Sequence, residues 1–430
     1  MAAGHSVDPG RWLGILDDLL LRTGARFRRV EPRRRARAFV LGLLAGLPRA
    51  NCWTIAEHAG DATPAGMQHL LSRACWDADG VRDDVRGYVT GHLGGPDAML
   101  VVDETGDVKK GSMTAGVQRQ YTGTAGRVEN AQVAVYLTCA GRGGHALIDR
   151  ELYLPESWIS DKARCAAAGI PAGIAFATKP ELALAMITRA LDAGTPAAWV
   201  AGDEVYGNDP GLRAGLETRR LGYVLAVAKS HPITTAAGVS RADALAAKLP
   251  RRAWQRLSAG PGAKGHRYYD WAWISIDPGL PGSWHLLIRR SRRTRELAFY
   301  RCYTPRRVAL AALVRVAGRR WTVEEDFQAG KGLAALDEHQ VRTWTSWHRW
   351  VTLAMLALAF LTIATLAEHA HPPPPGMSPL TRNEIARLLA APAGWPGTDT
   401  RYRLRWSAWR RHHQHTAQAC HYQRQAACDP

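Results

Sequence analysis

Two short apolar runs, each followed by acidic residues, stand out in the hydrophobic pattern of the central part of the chain. Residues 98–102 lead into Asp103 and Glu104, and residues 197–201 lead into Gly202 and Asp203. Short apolar runs bounded by turn residues are typical of buried strands. We therefore expect two buried strands, each ending on an acid that lies at the edge of a sheet.

The segments between and after these runs alternate in a recognisable order. Residues 130–139 and 145–154 have strand-like patterns and are joined by a glycine-rich turn. Helical spacing over 181–193 precedes the Asp203 strand, and a helix at 212–221 precedes a strand at 223–228. Three antiparallel strands followed by helix, strand, helix, strand is the ribonuclease-H-like order. In that fold the first and fourth strands are neighbours, which would bring Asp103 close to Asp203.

A third acidic segment follows much later, at residues 320–331. As a helix, it would carry Arg320, Glu324 and Lys331 close to a single face. One interpretation is a carboxylate that binds a divalent metal beside a polyanion. The other is a solvated helix with ordinary ion pairs, which this segment alone does not exclude.

Five regions are predicted along the chain, within a mixed α/β fold. They are a helical domain at 1–95, the first part of a ribonuclease-H-like catalytic domain at 96–230, a β-rich insertion at 231–304, the catalytic helix with the remainder of that domain at 305–371, and a Pro-rich linker with a small basic tail at 372–430.

Two of these regions contain segments with more than one interpretation. Residues 53–64 and 67–73 resemble a helix-turn-helix, so DNA-end binding and ordinary helical packing both remain open. The apolar run 351–367 approaches the length of a membrane span, but it contains three threonines and stands alone. We expect it to be a buried core helix.

Composition indicates a polyanionic partner. The formal net charge is +18 and the sequence pI is about 10. The basic tail interleaves arginines with aromatic residues over 401–406 and 409–413, which is consistent with nucleic-acid contact. Seven scattered cysteines without a C-x-x-C pair support neither a disulfide framework nor a structural zinc site, and they suit a reducing cytoplasm.

The two strand-end acids need a positive charge, because burying a carboxylate is costly unless a cation meets it. No Lys or Arg is next to Asp103 or Asp203 in the sequence. Together with Glu324 they would form an all-oxygen site, which suits Mg²⁺ or Mn²⁺. Asp107 and Glu325 are the rival carboxylates; Glu325 lies about 100° around the helix from the face of Glu324.

These segments, in this order, resemble the DDE superfamily transposases of bacterial insertion sequences. The resemblance runs from about residue 53 to 409 and rests on residues 102–111, 202–207 and 320–342. Related transposases with a β-insertion carry a Tyr-x2-Arg-x3-Glu-x6-Lys signature, whose last three positions match Arg320, Glu324 and Lys331. The Tyr position falls on Ala317, which puts one DNA-backbone contact in doubt.

The resemblance implies metal-dependent phosphoryl transfer on DNA. Two Mg²⁺ ions roughly 4 Å apart, for which Mn²⁺ would substitute, would be bound by Asp103, Asp203 and Glu324, with Asp103 bridging both. Arg320 and Lys331 would hold transposon-end phosphates, and the rare lysines Lys109 and Lys110 would do likewise. The implied partners are terminal inverted repeats and target DNA, bound by a homodimer at the nucleoid with no membrane involved.

Three functions remain open from the sequence. The first is a transposase that cuts element ends and joins them to target DNA. The second is a catalytically silent DNA-binding protein that acts as a repressor or an architectural factor. The third is a ribonuclease-H-like nuclease that hydrolyses DNA without strand transfer.

Overall fold

A large mixed sheet forms the centre of the fold. The computed structural model describes residues 7–235, 238–262, 264–276, 282–390 and 400–428. The strands are β1 (Met99–Val108), β2 (Gln118–Thr122), β3 (Arg127–Ala140), β4 (His145–Leu152), β5 (Trp199–Gly202), β6 (Gly222–Val227), β7 (Pro232–Thr235), β8 (Gly238–Arg241), β9 (Gln255–Gly262), β10 (Gly265–Ile276), β11 (Ser283–Arg290) and β12 (Leu297–Thr304).

Sixteen helices surround this sheet within the described ranges. They are α1 (Pro9–Arg22), α2 (Val30–Leu44), α3 (Cys52–His58), α4 (Ala65–Ser72), α5 (Ala78–Leu93), α6 (Glu156–Ile159), α7 (Lys162–Ala167), α8 (Lys179–Asp192), α9 (Glu204–Gly207), α10 (Pro210–Thr218), α11 (Ala242–Ala247), α12 (Leu310–Arg319), α13 (Thr322–Ala334), α14 (Trp344–His369), α15 (Arg382–Leu389) and α16 (Thr400–Cys428).

The strand order confirms the ribonuclease-H-like prediction. Across the sheet the order is β4, β3, β1, β5, β6, with β1 antiparallel to β3 and parallel to β5. β5 and β6 are also parallel, as expected for strands joined by the crossover helix α10. The first and fourth strands of the predicted chain order are β1 and β5. They are hydrogen-bonded neighbours, as expected.

The prediction that the first strand ends at Asp103 is wrong. β1 continues to Val108, and Asp103 lies opposite Tyr136 of β3. The strand continues because β3 remains beside it as far as the pair Val108–Ala131, so its backbone groups keep their partners after β5 has ended. Asp103 therefore lies just beyond the last parallel pair between β1 and β5, but within the antiparallel pairing between β1 and β3.

The β-rich insertion extends the same sheet. β12 pairs antiparallel with β6, beginning with Phe299 opposite Val227, and β11, β10 and β9 follow in turn. β7 and β8 form a separate two-stranded sheet. The insertion strands β9 to β12 follow each other along the chain and pair side by side. They therefore form a wall next to β6.

The long apolar helix α14 lies at the centre of the helical layer. By length and composition it could cross a membrane, but 83% of its most apolar window is buried inside the protein. It contacts α1, α2, α4, α5 and β4. Arg349 of α14 donates hydrogen bonds to the carbonyl oxygens of Leu70 and Ala74, which ties the helix to the N-terminal region. α14 is therefore a core helix, as the sequence predicts.

The two short helices of the helix-turn-helix-like segment are α3 and α4. Asn51 caps α3 by accepting hydrogen bonds from the amides of Trp53 and Thr54, and the Thr54 hydroxyl accepts one from the amide of Asn51. The side chain of Trp53 is 67% exposed. DNA-end binding by this pair stays a prediction.

Candidate active site

The register of the parallel ladder brings two predicted acids together. Val101 of β1 lies opposite Ala201 of β5 in the last pair of this ladder. Asp103 and Asp203 are each two residues beyond that pair, so they occupy matching positions on adjacent segments of the backbone. Neighbouring strands lie about 4.8 Å apart, and residues at the same register of parallel strands face the same side of the sheet. The backbone thus places these two acids side by side.

Asp203 lies at the start of a helix rather than in a strand. β5 ends at Gly202, and the Oδ1 atom of Asp203 accepts a hydrogen bond of 2.8 Å from the amide of Val205, which caps α9. The turn also needs Gly207, where a Cβ atom would lie 1.8 Å from the carbonyl oxygen of Ala226. This tight strand-to-helix turn fixes the position of the Asp203 carboxylate.

Glu324 approaches the pair from a helix that begins later than expected. The sequence predicts one helix over 320–331, but α12 ends at Arg319 and α13 begins at Thr322. Arg320 lies in the junction, and its Nη1 atom is 3.2 Å from Oδ2 of Asp103 and 4.0 Å from Oε1 of Glu324. Arg320 therefore joins the first and third predicted acids through its guanidinium group.

Electrostatics at this cluster favours an additional cation. Burial raises the pKa of Asp103 well above its ordinary value, and the charge of Asp203 adds to the rise while Arg320 opposes it. The pKa of Asp203 is also raised, by burial and by the charge of Glu104. Arg320 alone does not compensate the negative charge, so another positive group placed here would be stabilised.

Glu104 belongs to the opposite face of β1, as predicted. Its carboxylate accepts hydrogen bonds from Lys179 Nζ at 2.7 Å and from the Tyr206 hydroxyl at 2.6 Å. These contacts join β1 to α8 and α9, beneath the turn that carries Asp203. Neither Lys179 nor Tyr206 was predicted from the sequence, because their relation to Glu104 depends on how α8 and α9 pack on the sheet.

The residues after Glu324 anchor its helix. Glu325, the rival carboxylate, has its Oε2 atom 3.0 Å from Nε2 of His145. Asp326 is fully buried; it contacts His145 Nδ1 at 2.7 Å and accepts hydrogen bonds from Arg382 at 2.8 Å and Thr138 at 3.0 Å. This cluster, which the sequence did not indicate, fixes α13 against β3, β4 and α15.

The remaining predicted contacts lie along the far end of β1. Lys331 donates hydrogen bonds to Thr105 and Thr124 and lies 4.0 Å from Asp107. Nε2 of the buried His339 is 3.1 Å from Asp107, so this second rival carboxylate is held by structural partners.

The two adjacent lysines at this end differ in their surroundings. Lys109 is partly buried and donates a 3.0 Å hydrogen bond to the carbonyl oxygen of His339. Lys110 is exposed. The structure therefore brings Arg320, Asp103, Asp203 and Glu324 together, while Lys331, Lys109 and Lys110 lie farther along β1.

A cleft of about 880 Å³ opens beside Asp203 and Arg320. The insertion supplies one wall, with cationic and aromatic side chains that include Arg267, Tyr269 and Arg289. Trp321, which is 53% exposed, lies on the other side. A groove with acids at its base and guanidinium groups along its wall can accept an extended polyanion.

Comparison with known proteins identifies the family. Residues 24–259, more than half of the chain, match the family described as DDE superfamily endonuclease. The chain belongs to this family. Asp103 and Asp203 lie within the matched residues, and Glu324 lies beyond them.

Two individual proteins are similar to this endonuclease. The probable transposase for insertion sequence element IS701 of Microchaete diplosiphon is 30% identical over 192 residues, which cover 44% of this chain and 48% of that protein. The chain thus spans about half the length of that relative. The structure of the piggyBac transposase synaptic complex with hairpin DNA matches with a TM-score of 0.43 at 11% identity, covering 94% of this chain and 85% of that one.

DDE superfamily nucleases generally use divalent metal ions. The donor chemistry of this endonuclease fits such an ion, since the carboxylates are hard oxygen ligands and the pKa values of Asp103 and Asp203 are both raised. Within the described ranges, no three His, Cys, Asp or Glu side chains are already arranged around one position. Arg320 lies between Asp103 and Glu324 instead. The three metal ligands therefore stay a prediction.

Proposed function

We propose that this endonuclease is a DNA transposase that cleaves the ends of an insertion sequence and joins them to target DNA. The observations that support this most strongly are the matched register of Asp103 and Asp203 and the cationic cleft that Asp203 lines. In this proposal Asp103, Asp203 and Glu324 bind two divalent ions, normally Mg²⁺ and in substitution Mn²⁺.

The bound ions would supply Lewis acidity for the attacking water or 3′-hydroxyl and for the departing oxygen. Asp103 has the central position because its carboxylate lies next to Asp203 and, through Arg320, next to Glu324. Arg320 lies 3.2 Å from Asp103 and offsets part of its negative charge. Because Arg320 also lines the cleft, its guanidinium would pair with a DNA phosphate there.

The cationic residues around the cleft suit the backbone of a DNA end. Arg267 and Arg289 line the same cavity as Arg320 and would pair with phosphates. Lys331, 20% exposed, and Lys110 would contact the duplex farther along β1. Lys109 is proposed to contact DNA as well, with its amine also holding the segment that carries His339.

Assembly on DNA follows from the reaction. A transposase brings two element ends together, so we propose that two copies of the chain act as a dimer on terminal inverted repeats. The helical region 1–95 would recognise these repeats. The reaction would take place on chromosomal DNA at the nucleoid.

The direct test is incubation of the protein with labelled element-end DNA, a target plasmid and Mg²⁺. We expect cleaved ends and joined products from the wild type, and at least a roughly hundredfold loss for Asp103→Ala, since removal of an outer-shell partner alone can cost that much. Glu325→Gln is the matched control, because Glu325 neighbours Glu324 but contacts His145. It should retain most of the activity.

The same assay separates the alternatives. Cleavage without joined products would identify a nuclease that only hydrolyses DNA. Metal-independent binding without cleavage would identify a silent DNA-binding protein. Undiminished cleavage by Asp103→Ala would remove the proposed site altogether.

A further inference from the structure

The C-terminal helix α16 extends from the body of the protein to the insertion. Toward its middle, Arg410 pairs with Glu384 of α15, and Arg411 donates a 2.7 Å hydrogen bond to the carbonyl oxygen of Ser378. Near its end, Gln425 accepts a hydrogen bond from the amide of His266 and donates one to its carbonyl oxygen, at 2.8 and 2.7 Å. One side of α16 is therefore anchored at two places, toward its middle and near its C-terminal end.

The outward side of α16 carries a continuous stripe of rings. Tyr402, Trp406, Trp409 and His413 are spaced at i, i+4, i+7 and i+11, which places them on one face of a helix. Tyr402 is 44% exposed, Trp406 42% and Trp409 57%. The stripe, defined by these four residues, is about 16 Å long at 1.5 Å per residue.

The rings of the stripe form a contiguous surface. The centroids of Trp406 and Trp409 are 5.4 Å apart, and the rings of Trp409 and His413 are 5.5 Å apart with an angle of 2° between their planes. The guanidinium of Arg405 lies 5.6 Å from the centroid of Tyr402. The Trp409–His413 pair is parallel, whereas the Tyr402–Trp406 and Trp406–Trp409 pairs meet edge-on at 67° and 73°. Exposed rings beside a cation resemble the surfaces on which proteins stack nucleic-acid bases.

The charge and composition of α16 limit the kinds of molecule that could bind the stripe. Residues 400–428 contain six arginines, four histidines and no Asp or Glu. Two copies of such a helix would repel each other, which disfavours self-association. The one aliphatic side chain larger than alanine, Leu404, lies outside the stripe and packs against the hydrophobic core, so the outer face lacks the apolar depth typical of membrane-surface helices.

We propose that the stripe is a binding site for single-stranded DNA, on which unpaired bases stack while exposed arginines of α16, among them Arg405, contact the phosphates. Duplex DNA hides the faces of its bases, so this chemistry is specific to an unpaired strand. The inference rests on the proposed function, because cleavage of a DNA end creates a strand terminus whose bases can unpair.

The position of α16 suits this role. Gln425 holds the backbone of His266, next to Arg267, which lines the cleft beside Asp203. From His413 to Gln425 the helix runs roughly 18 Å. α16 thus connects the rim of the cleft with the stripe, and a strand released in the cleft has a nearby surface on which to bind.

The test measures binding of a fluorescent 20-nucleotide thymidine oligomer to the full chain by anisotropy. We expect Trp409→Ala to weaken binding about tenfold and Trp406→Ala with Trp409→Ala to weaken it more, as stacked bases typically contribute. Trp409→Phe retains a ring and should recover most of the affinity. Gln414→Ala, exposed on another face of α16, should bind like the wild type.

Binding of a duplex of equal length and of vesicles with anionic lipids distinguishes the alternatives. The proposal expects the tryptophan variants to bind the duplex and the vesicles as the wild type does. The proposal is overturned if the tryptophan variants bind the oligomer as the wild type does, or if their affinity for the duplex falls by the same factor. It is also overturned if only their binding to vesicles falls, or if the substitutions disrupt a dimer of the protein in place of oligomer binding.

The controls also separate this inference from the proposed function. Asp103→Asn should bind the oligomer normally, because the stripe contains no residue of the cleft. Cleavage by the tryptophan variants with intact oligomer binding refutes the stripe alone. Oligomer binding that depends on the stripe, in a protein that never cleaves DNA, refutes the proposed catalysis alone.

Discussion

Buried aspartates in two regions of this protein are neutralised to very different degrees. Asp326 is fully buried and contacts His145, Arg382 and Thr138. Asp103 is nearly as buried, yet Arg320 is its single cationic contact among the described residues, and Asp203 adds a like charge. Burial raises the pKa of a carboxyl group in both regions, but cations reverse the direction for Asp326 alone.

The difference separates structural acids from functional ones. A buried carboxylate surrounded by cations stabilises the fold, as Asp149 also does with Arg82 at 3.1 Å and Arg189 at 2.9 Å. A buried carboxylate left short of positive charge stores unfavourable energy that a ligand can relieve. The shortage at Asp103 and Asp203 is the reason why we propose a metal site at this place in the fold.

The largest expected effect comes from removing the well-compensated acid. Asp326→Ala leaves His145 and Arg382 without their buried partner, and breaking a buried pair in this way costs about 3–5 kcal/mol. We expect the free energy of unfolding, measured in urea, to fall by that amount. Glu325→Gln, a half-exposed partner of the same histidine, should cost about 1 kcal/mol or less. Equal losses for both variants would contradict this assignment.

A smaller effect is expected from pH, through His145. Burial lowers its pKa, but the charge of Asp326 and its hydrogen bonds overcome this and raise the pKa from 6.5 to about 9. Because the folded pKa is the higher one, the stabilisation is complete below pH 6.5 and is lost as pH rises through 9. It amounts to on the order of 3 kcal/mol.

Comparison with His145→Gln isolates this contribution. The difference in unfolding free energy between wild type and variant should shrink as pH rises from 6.5 to above 9. A constant difference across this range would show that His145 has no raised pKa.

The smallest effect, and one of opposite sign, is expected at the under-compensated acid. Asp103→Asn removes a carboxylate whose pKa is raised, so a charge that is unfavourable in the folded state disappears. Without added metal at pH 8, we expect the free energy of unfolding to rise by about 1 kcal/mol. A loss comparable to that of Asp326→Ala would mean that the two regions are alike.

Local patterns were sufficient for strands β1, β3, β4, β5 and β6 and for the closeness of two acids, but not for β2, β7, β8 or β9. Apolar runs before Asp103 and Asp203 and the order of elements between them predicted neighbouring strands, which β1 and β5 confirm. The end of β1 was predicted wrongly because β3, a tertiary partner, prolongs it. The break before Thr322 was also missed; it follows Gly318, where a Cβ atom would lie 1.9 Å from the carbonyl oxygen of Ala259 in a distant strand.

Contacts between distant segments were beyond the sequence analysis. The pairing of Arg320 with Asp103 spans 217 positions, and that of Lys109 with the His339 carbonyl spans 230. Neither residue type nor spacing indicates such partners. Similarly, the sequence marked the basic aromatic tail, but the stripe became apparent only when the helical register of α16 was known.

Metal binding itself is the most direct test of the central claim that Asp103, Asp203 and Glu324 share a metal centre. Isothermal titration of Mn²⁺ should show binding to the wild type and to Glu325→Gln alike. Asp103→Asn, Asp203→Asn and Glu324→Gln should each bind roughly tenfold more weakly or worse. Mn²⁺ affinity that is unchanged in all three variants, or weakened by Glu325→Gln in place of Glu324→Gln, would contradict the account.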